Sequence, residues 1–360
     1  MNNKRIRRPG AGAITIAVAL SALLFLTCLF AVGCTSAQKN GAAEEGDGKL
    51  NVVTTLFPYY DFLRQIAGDQ IHLTMVVPAG MDSHSFEPTP EDVITIQNAD
   101  LVICNGGEME QWFTRVLKSL GDEGTVPGRV VTMMDYVDTV EEVVVEGMEA
   151  HEHDHGVEGH DHGAEEHDHE AEEHASGDDG REVEIEYDEH IWTSPVNAIK
   201  LVGILTHVLE EEDPANSETY RNNGETYTGR LKELDAEIRD IVKNGKRNLL
   251  IFGDKFPLRY FFDEYGLKYR AAFSGCSSDT EPSAQTIAYL IDKVRTEQIP
   301  VIYYLELSSH RVAGIIGEET GAEPLLFHSC HNVTRREFDS GVTYLELMEQ
   351  NTVNLRKGLN

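Results

Sequence analysis

Basic side chains are scarce in this sequence of 360 residues: Lys and Arg total 30 against 62 Asp and Glu, so the formal net charge is −32 at pH 7. A field of this sign repels nucleic acid and anionic lipid, and it concentrates cations near the surface. Nucleic-acid binding is therefore disfavoured. At this length, two lobes are a better expectation than a single ordinary core.

Cysteine is also scarce, with five in the whole chain. The three that follow residue 34 are an odd number without a CxxC pair, which does not fit a disulfide framework. Cys104 lies in an apolar run and is predicted to be a core residue, whereas Cys276 and Cys330 each follow a predicted strand. The sequence contains no GxSxG motif, which argues against a serine nucleophile elbow.

The N-terminus has the pattern of an export signal. Four basic residues within 1–12 precede an uncharged run over 13–33, which ends at Gly33-Cys34. A run of this length could also cross a bilayer, but Gly33-Cys34 resembles a bacterial lipobox, in which Cys34 receives a diacylglycerol. We therefore expect a signal peptide at 1–33, a flexible tether at 34–49 and a lipid-anchored protein outside the cytoplasm. Loss of the four basic residues of the signal moves the formal charge from −32 to −36.

Predicted strands and helices alternate in two segments, which is typical of doubly wound, mainly parallel α/β sheets. The predicted strands are 50–57, 72–77, 100–104, 248–252, 267–273, 300–305 and 324–327. The predicted helices are 58–68, 90–99, 111–120, 196–211, 257–265, 283–297, 308–320 and a C-terminal helix from about 339. A further helix at 212–245, about 45 Å long, is predicted to link an N-terminal lobe at 50–211 to a C-terminal lobe at 246–360.

A low-complexity loop interrupts the N-terminal lobe. Residues 141–180 contain sixteen Asp or Glu, no Lys or Arg, and eight histidines between 151 and 174. This composition predicts a disordered segment that attracts metal, because repeated imidazoles suit Zn, Cu or Ni better than Ca or Mg. A solvated acidic spacer would not need so many imidazoles.

Several metal-ligating residues follow predicted strands or precede a predicted helix. His84 follows the strand at 72–77, and His190 precedes the helix at 196–211. In the C-terminal lobe, Cys276 follows the strand at 267–273, and His328 and His331 follow the last strand. Ligands of doubly wound sheets bind beyond the carboxyl ends of strands, and neutral imidazoles are metal ligands. The sequence therefore predicts a metal site between the lobes.

Motifs along essentially the whole mature chain strengthen this interpretation. They are PYYDF at 58–62, the His84 stretch with EPTP at 87–90, DLV at 100–102 with NG at 105–106, DEHIW at 188–192, EPS at 281–283 and ETGA at 319–322. On these residues, the chain resembles the zinc and manganese solute-binding lipoproteins of bacterial ABC importers, the ZnuA-like or adhesin-lipoprotein family. The resemblance implies two α/β lobes joined by one long helix, with a metal held in the cleft by four side chains.

Carried over residue by residue, the resemblance implies that His84 and His190 are the two ligands of the N-terminal lobe. In the C-terminal lobe, Gly253 stands where the family has His or Glu, and His328 stands near the position of the usual Asp. A substitute for the missing ligand is expected, in the order Cys276, His331, Asp254 and Cys330. A thiolate would favour Zn over Mn.

The predicted function is capture of Zn²⁺, with Mn²⁺ less favoured, by a monomeric, non-enzymatic protein that delivers the ion to an ABC permease. One alternative is a lipid-anchored zinc hydrolase with an open metal position and Glu87 or Glu189 as base. Another is a metal buffer or adhesin in which the histidine-rich loop is the functional part. Because histidine must lose its proton to ligate, binding is expected to weaken below roughly pH 6.

Overall fold

A computed structural model describes residues 47–143, 145–148, 187–275 and 282–360. The predicted signal peptide, Cys34, most of the tether, most of the histidine-rich loop and Cys276 lie outside the described residues. From Lys49 to Asn360, the chain forms one compact unit. Among its described helices, none is both long enough and apolar enough to cross a membrane.

The described residues form eight strands and ten α-helices. The strands are β1 (Asn51–Thr54), β2 (His72–Met75), β3 (Leu101–Cys104), β4 (Arg129–Thr132), β5 (Leu249–Phe252), β6 (Lys268–Ala271), β7 (Val301–Tyr304) and β8 (Glu323–Leu326). The helices are α1 (Phe57–Ala67), α2 (Pro90–Gln97), α3 (Gln111–Glu123), α4 (Pro195–Glu212), α5 (Ser217–Asn244), α6 (Arg259–Tyr265), α7 (Ala284–Thr296), α8 (Arg311–Thr320), α9 (Arg335–Asp339) and α10 (Tyr344–Leu359).

The strands form two four-stranded parallel sheets with the same relative order. The first sheet has the order β2-β1-β3-β4 and the second the order β6-β5-β7-β8. In each sheet the second strand in the sequence lies on one side of the first strand, and the third and fourth strands lie on its other side. A crevice therefore opens at the carboxyl ends of the two central strands. The two parallel α/β sheets confirm the predicted fold class.

The long helix α5 lies between the two sheets in the sequence and packs against α1, α4 and α10. Its buried face runs from Tyr220 through Leu231 to Ile241. Near its start, a Cβ on Gly224 would lie 2.3 Å from Oγ1 of Thr206, so glycine permits the close contact with α4. The 28 residues of α5 give it a length of about 42 Å.

N-terminal capping fixes where α4 begins, and so fixes the position of the segment that precedes it. Ser194 is the N-cap, its hydroxyl accepts the N–H of Asn197 at 3.4 Å, and Pro195 occupies the first turn. Proline is favoured there because its missing N–H has no partner in a helix start. His190 is thereby held just outside the helix, as predicted.

Two predictions of secondary structure were incomplete or wrong. Strand β4 was not predicted, because it is a short and only partly buried edge strand beside β3. The C-terminal helix was predicted to begin near residue 339, but α9 ends there and α10 begins at Tyr344. The separation follows from two capping boxes, at Thr334 and at Thr343, each of which starts a new helix.

Candidate metal centre

Three histidines from distant parts of the chain meet at the carboxyl ends of the two sheets. His84 lies in the single turn Ser83–Ser85 after β2, His190 precedes the turn Ile191–Thr193, and His331 follows β8. Each offers one nitrogen, and these three atoms lie within 4.8 Å of one another. The ring centroids are 5.7–6.0 Å apart. Among the described residues, this is the group of His, Cys, Asp and Glu that could hold a metal ion.

The spacing of the three nitrogens suits a tetrahedral metal after small side-chain rotations. Zinc bonds histidine nitrogen at about 2.0–2.1 Å, which places tetrahedral nitrogen ligands about 3.4 Å apart. The three rings also line one cavity of about 360 Å³. The cavity therefore offers space for an ion beside the three rings.

Asp188 orients the most buried of the three rings. Its Oδ1 lies 3.1 Å from Nδ1 of His190 and also accepts the backbone N–H of His190 at 2.8 Å. With Nδ1–H donated to this carboxylate, Nε2 is the nitrogen left for a metal. Histidine ligands commonly have such a carboxylate behind them, and it fixes the tautomer and the ring plane.

The surroundings shift the pKa values of the three histidines in different directions. Desolvation and then repulsion from His190 lower the pKa of His84 to about 4, although part of this residue is exposed. Burial and then repulsion from the other two rings lower the pKa of His331 to about 3. Burial also acts to lower the pKa of His190, but the carboxylates of Asp188 and Glu189 outweigh it, and the pKa is raised.

Three hydrogen bonds fix the segment that carries His190 to the second half of the molecule. The hydroxyl of Tyr260 donates to the carbonyl of Asp188 at 2.6 Å. Nε1 of Trp192 donates to the carbonyl of Ser329 at 2.9 Å, and the hydroxyl of Tyr344 donates to the carbonyl of Trp192 at 2.8 Å. His190 therefore has little freedom to leave the cluster.

Three other residues predicted for the site, His328, Cys330 and Asp254, are not in the group of three histidines, although Asp254 lines the same cavity. His328 is buried outside the cluster, with Nδ1 accepting the N–H of Cys330 at 2.9 Å. Cys330 is fully buried, and burial raises the pKa of its thiol well above the ordinary value. The carboxylate of Asp254 accepts the N–H groups of Lys255 at 2.8 Å and Leu305 at 3.1 Å. Cys276 lies outside the described residues.

Gly253 has no room for the ligand that the resemblance would place there. A Cβ at this position would lie 2.7 Å from the backbone nitrogen and 2.8 Å from Cα of Ala313 in α8. Backbone atoms of a helix cannot move aside as the tip of a side chain can. The close approach of α8 therefore excludes any side chain at 253 in this packing.

Neither candidate base of the hydrolase alternative, Glu189 or Glu87, lines the cavity that the three histidines share. The buried carboxylate of Glu189 accepts the N–H groups of Glu108 and, at 2.8 Å, of Met109. Burial raises the pKa of this carboxyl group. Glu87 is exposed and does not line the cavity that the three histidines share.

Three polar residues around the histidines were not singled out from the sequence for their roles. They are Asp188 behind His190, Ser83 with Oγ 2.6 Å from Nε2 of His331, and the buried Asn332. The DEH triplet at 188–190 could have revealed Asp188, because a carboxylate two residues from a ligand histidine can reach its ring. Ser83 and Asn332 act across the fold, and no local pattern indicates them.

The fold and the three histidines define a two-lobed α/β protein with a candidate metal centre, and comparison with known proteins places it more narrowly. The family model of ZnuA, described as the periplasmic component A of a zinc-uptake complex, matches residues 52–358. The chain belongs to this family.

Named relatives agree with this assignment. The high-affinity zinc uptake system protein ZnuA of Bacillus subtilis is 32% identical over 331 residues, covering 92% of this chain and 94% of the relative. The zinc-binding lipoprotein AdcA of Streptococcus pneumoniae is 31% identical over 341 residues, covering 94% of this chain. The chain spans 60% of the length of that relative.

Solved structures show the same fold. The Zn(II)-bound ZnuA-like domain of AdcA from Streptococcus pneumoniae superposes with a TM-score of 0.65 at 28% identity, covering 87% of this chain and 99% of the domain. The metal-dependent lipoprotein YcdH of Bacillus subtilis gives a TM-score of 0.66 at 30% identity, covering 86% of this chain and 99% of that one.

Proposed function

We propose that this protein is an extracytoplasmic solute-binding protein that captures Zn²⁺ and delivers it to an ABC-type membrane importer. The observation that carries the proposal is that one ring nitrogen from each of His84, His190 and His331 lies within 4.8 Å of the other two. Membership of the ZnuA family and the names of the zinc-binding relatives support zinc as the ion. Under this proposal no covalent bond is made or broken, and the protein is not an enzyme.

The chemistry of the three rings suits zinc at neutral pH. The lowered pKa values of His84 and His331, about 4 and about 3, keep both rings neutral and able to ligate. His190, held by Asp188, presents its other nitrogen. Imidazole is a preferred ligand of zinc, whereas Mn²⁺ is better served by carboxylate and water oxygens.

Three protein nitrogens leave one position of a tetrahedral zinc to be filled. From the sequence we propose Cys276 as the candidate for that position. Co²⁺ substitution tests it: a thiolate ligand gives an intense charge-transfer band that Cys276→Ser should abolish. An unchanged band in the variant would remove Cys276 from the ligand set.

The location and the partner follow from the N-terminal signal and the family. We propose that Cys34 carries a lipid, that the histidine-rich loop at 151–174 gathers zinc near the membrane, and that the loaded monomer docks on an ABC permease. The strongly acidic composition supports this picture, because a negative field raises the local concentration of cations.

Zinc stoichiometry and affinity, measured by competition with a chelator of known affinity, test the proposal on four forms of the mature chain. They are the intact chain, a variant lacking residues 151–174, His84→Ala, and His207→Ala. His207 is the matched control, because it is an exposed histidine of α4 outside the cluster. We expect one tight zinc in the intact chain, the loop deletion and the control, and its loss in His84→Ala. A tight site that disappears with the loop and survives His84→Ala contradicts the proposal.

A further inference from the structure

The segment 328–332, which carries His331, is fixed on the side of the second sheet. Ser329 donates its N–H to the carboxylate of Glu306 at 2.8 Å. Asn351 holds the backbone of His328 from both sides, because its Oδ1 accepts the N–H and its Nδ2 donates to the carbonyl, each at 2.7 Å. Cys330 has φ of +59°, a left-handed conformation that non-glycine residues seldom adopt. This backbone reversal directs the chain into His331.

Asn332 extends this fixed segment across to the first sheet. Its Nδ2 donates to the carbonyl of Pro78 at 2.9 Å and to the carbonyl of Met81 at 2.8 Å. Its Oδ1 accepts the N–H of Val333 at 2.8 Å, so every polar atom of the buried amide has a partner. The two carbonyls flank the turn that leads directly to His84.

A second contact crosses at the same place. Oγ of the buried Ser83 lies 2.6 Å from Nε2 of His331. His331 therefore meets the neighbour of His84 through a hydroxyl, while the residue after His331 holds the turn before His84. The segments that carry His84 and His331 are thus joined by hydrogen bonds that involve no metal.

The geometry points to Asn332 as a positioning residue that holds the turn of His84 in register with His331, so that zinc meets a preformed site. This inference rests on the proposed function, because it concerns how the same site binds zinc. Without the amide, the turn at 78–81 loses both hydrogen bonds from Asn332 and is held less firmly to the second sheet. Ligands that must be gathered by the ion bind more weakly and release it sooner than ligands already in place.

Zinc release tests this role directly. Asn332→Ala removes the amide, and Asn332→Leu removes both donors while keeping most of the side-chain volume. The matched control is Asn223→Ala, because Nδ2 of Asn223 also donates to a distant backbone carbonyl, that of Ile66 at 2.9 Å, outside the cluster. Stopped-flow mixing of the zinc-loaded chain with excess chelator gives the release rate, and the visible spectrum of the Co²⁺ form reports ligand geometry.

We expect both Asn332 variants to release zinc about 10–100-fold faster than the unchanged chain, the range typical when groups that orient metal ligands are removed, and to alter the Co²⁺ spectrum. The control should melt at a lower temperature with an unchanged release rate and spectrum. Variants of Asn332 that fold cooperatively, release zinc at the original rate and keep the spectrum overturn the inference. An unchanged chain that holds no tight zinc would instead refute the proposed function, so the two failures are distinguishable.

Discussion

His328 and His331 lie three residues apart, but only His331 belongs to the candidate metal centre. Replacing each of them by asparagine, one at a time, tests this difference. Four-ligand structural zinc sites gain about 10–16 kcal/mol, which is roughly 3 kcal/mol per ligand. Since about 1.4 kcal/mol corresponds to a tenfold change in affinity, His331→Asn should weaken zinc binding by about 100-fold. The measurement is competition with a fluorescent chelator at pH 7.

His328→Asn should behave differently. Nδ1 of His328 accepts the N–H of Cys330, two residues ahead, at 2.9 Å, and the Oδ1 of asparagine can accept the same bond in an Asx turn. The buried Nε2 of His328 has no hydrogen-bond partner among the described residues, so losing it removes no hydrogen bond. We expect zinc affinity to change less than about threefold, with a loss of about 1–3 kcal/mol in unfolding free energy from the vacated volume. A 100-fold loss of affinity in a normally folded His328→Asn would refute this reasoning.

Three further changes test other parts of the site. Because the pKa of His190 is raised while burial lowers the pKa of His84 to about 4 and that of His331 to about 3, His190 is the one of these three rings whose proton competes with zinc between pH 5 and 6. In Cys276→Ser, which has no thiol proton to lose at that position, affinity measured by titration should therefore fall about tenfold per pH unit there, and a thousandfold fall would contradict the assignment. Asp188→Asn should weaken zinc binding about 10–100-fold in the same competition assay. Gly253→Ala should lower the free energy of unfolding in urea by about 1–3 kcal/mol, because its Cβ would meet the backbone of Ala313.

The fold could be predicted well because its signals are local. Short apolar runs punctuated by proline and glycine indicate buried parallel strands, and capping residues such as Ser194 indicate where helices begin. The failures also have local causes. Strand β4 is half-exposed and four residues long, so its pattern is weak. The two capping boxes at Thr334 and Thr343 each begin a helix, whereas the sequence predicts a single helix from about residue 339.

The candidate site could be predicted only to the level of the strand ends. Sequence position places His328, Cys330 and His331 after the same strand, but it does not say which side chain enters the crevice. That choice depends on the left-handed φ of Cys330 and on the hydrogen bonds that hold Ser329. Glu306 lies 23 residues away from Ser329 in the sequence, so no local pattern connects the two.

The position of Gly253 shows how the ligand set and the packing of the second sheet depend on each other. A side chain at 253 requires α8 to stand away from β5, whereas the observed contact with Ala313 requires glycine. With α8 so close, a ligand cannot come from the end of β5, and the third imidazole comes from beyond β8 instead. That route is longer and crosses a strained turn, so it needs its own supports, which Glu306, Asn351 and Asn332 provide. A Gly253→His exchange should therefore not add a ligand: it should destabilise the second lobe and leave zinc dependent on His331.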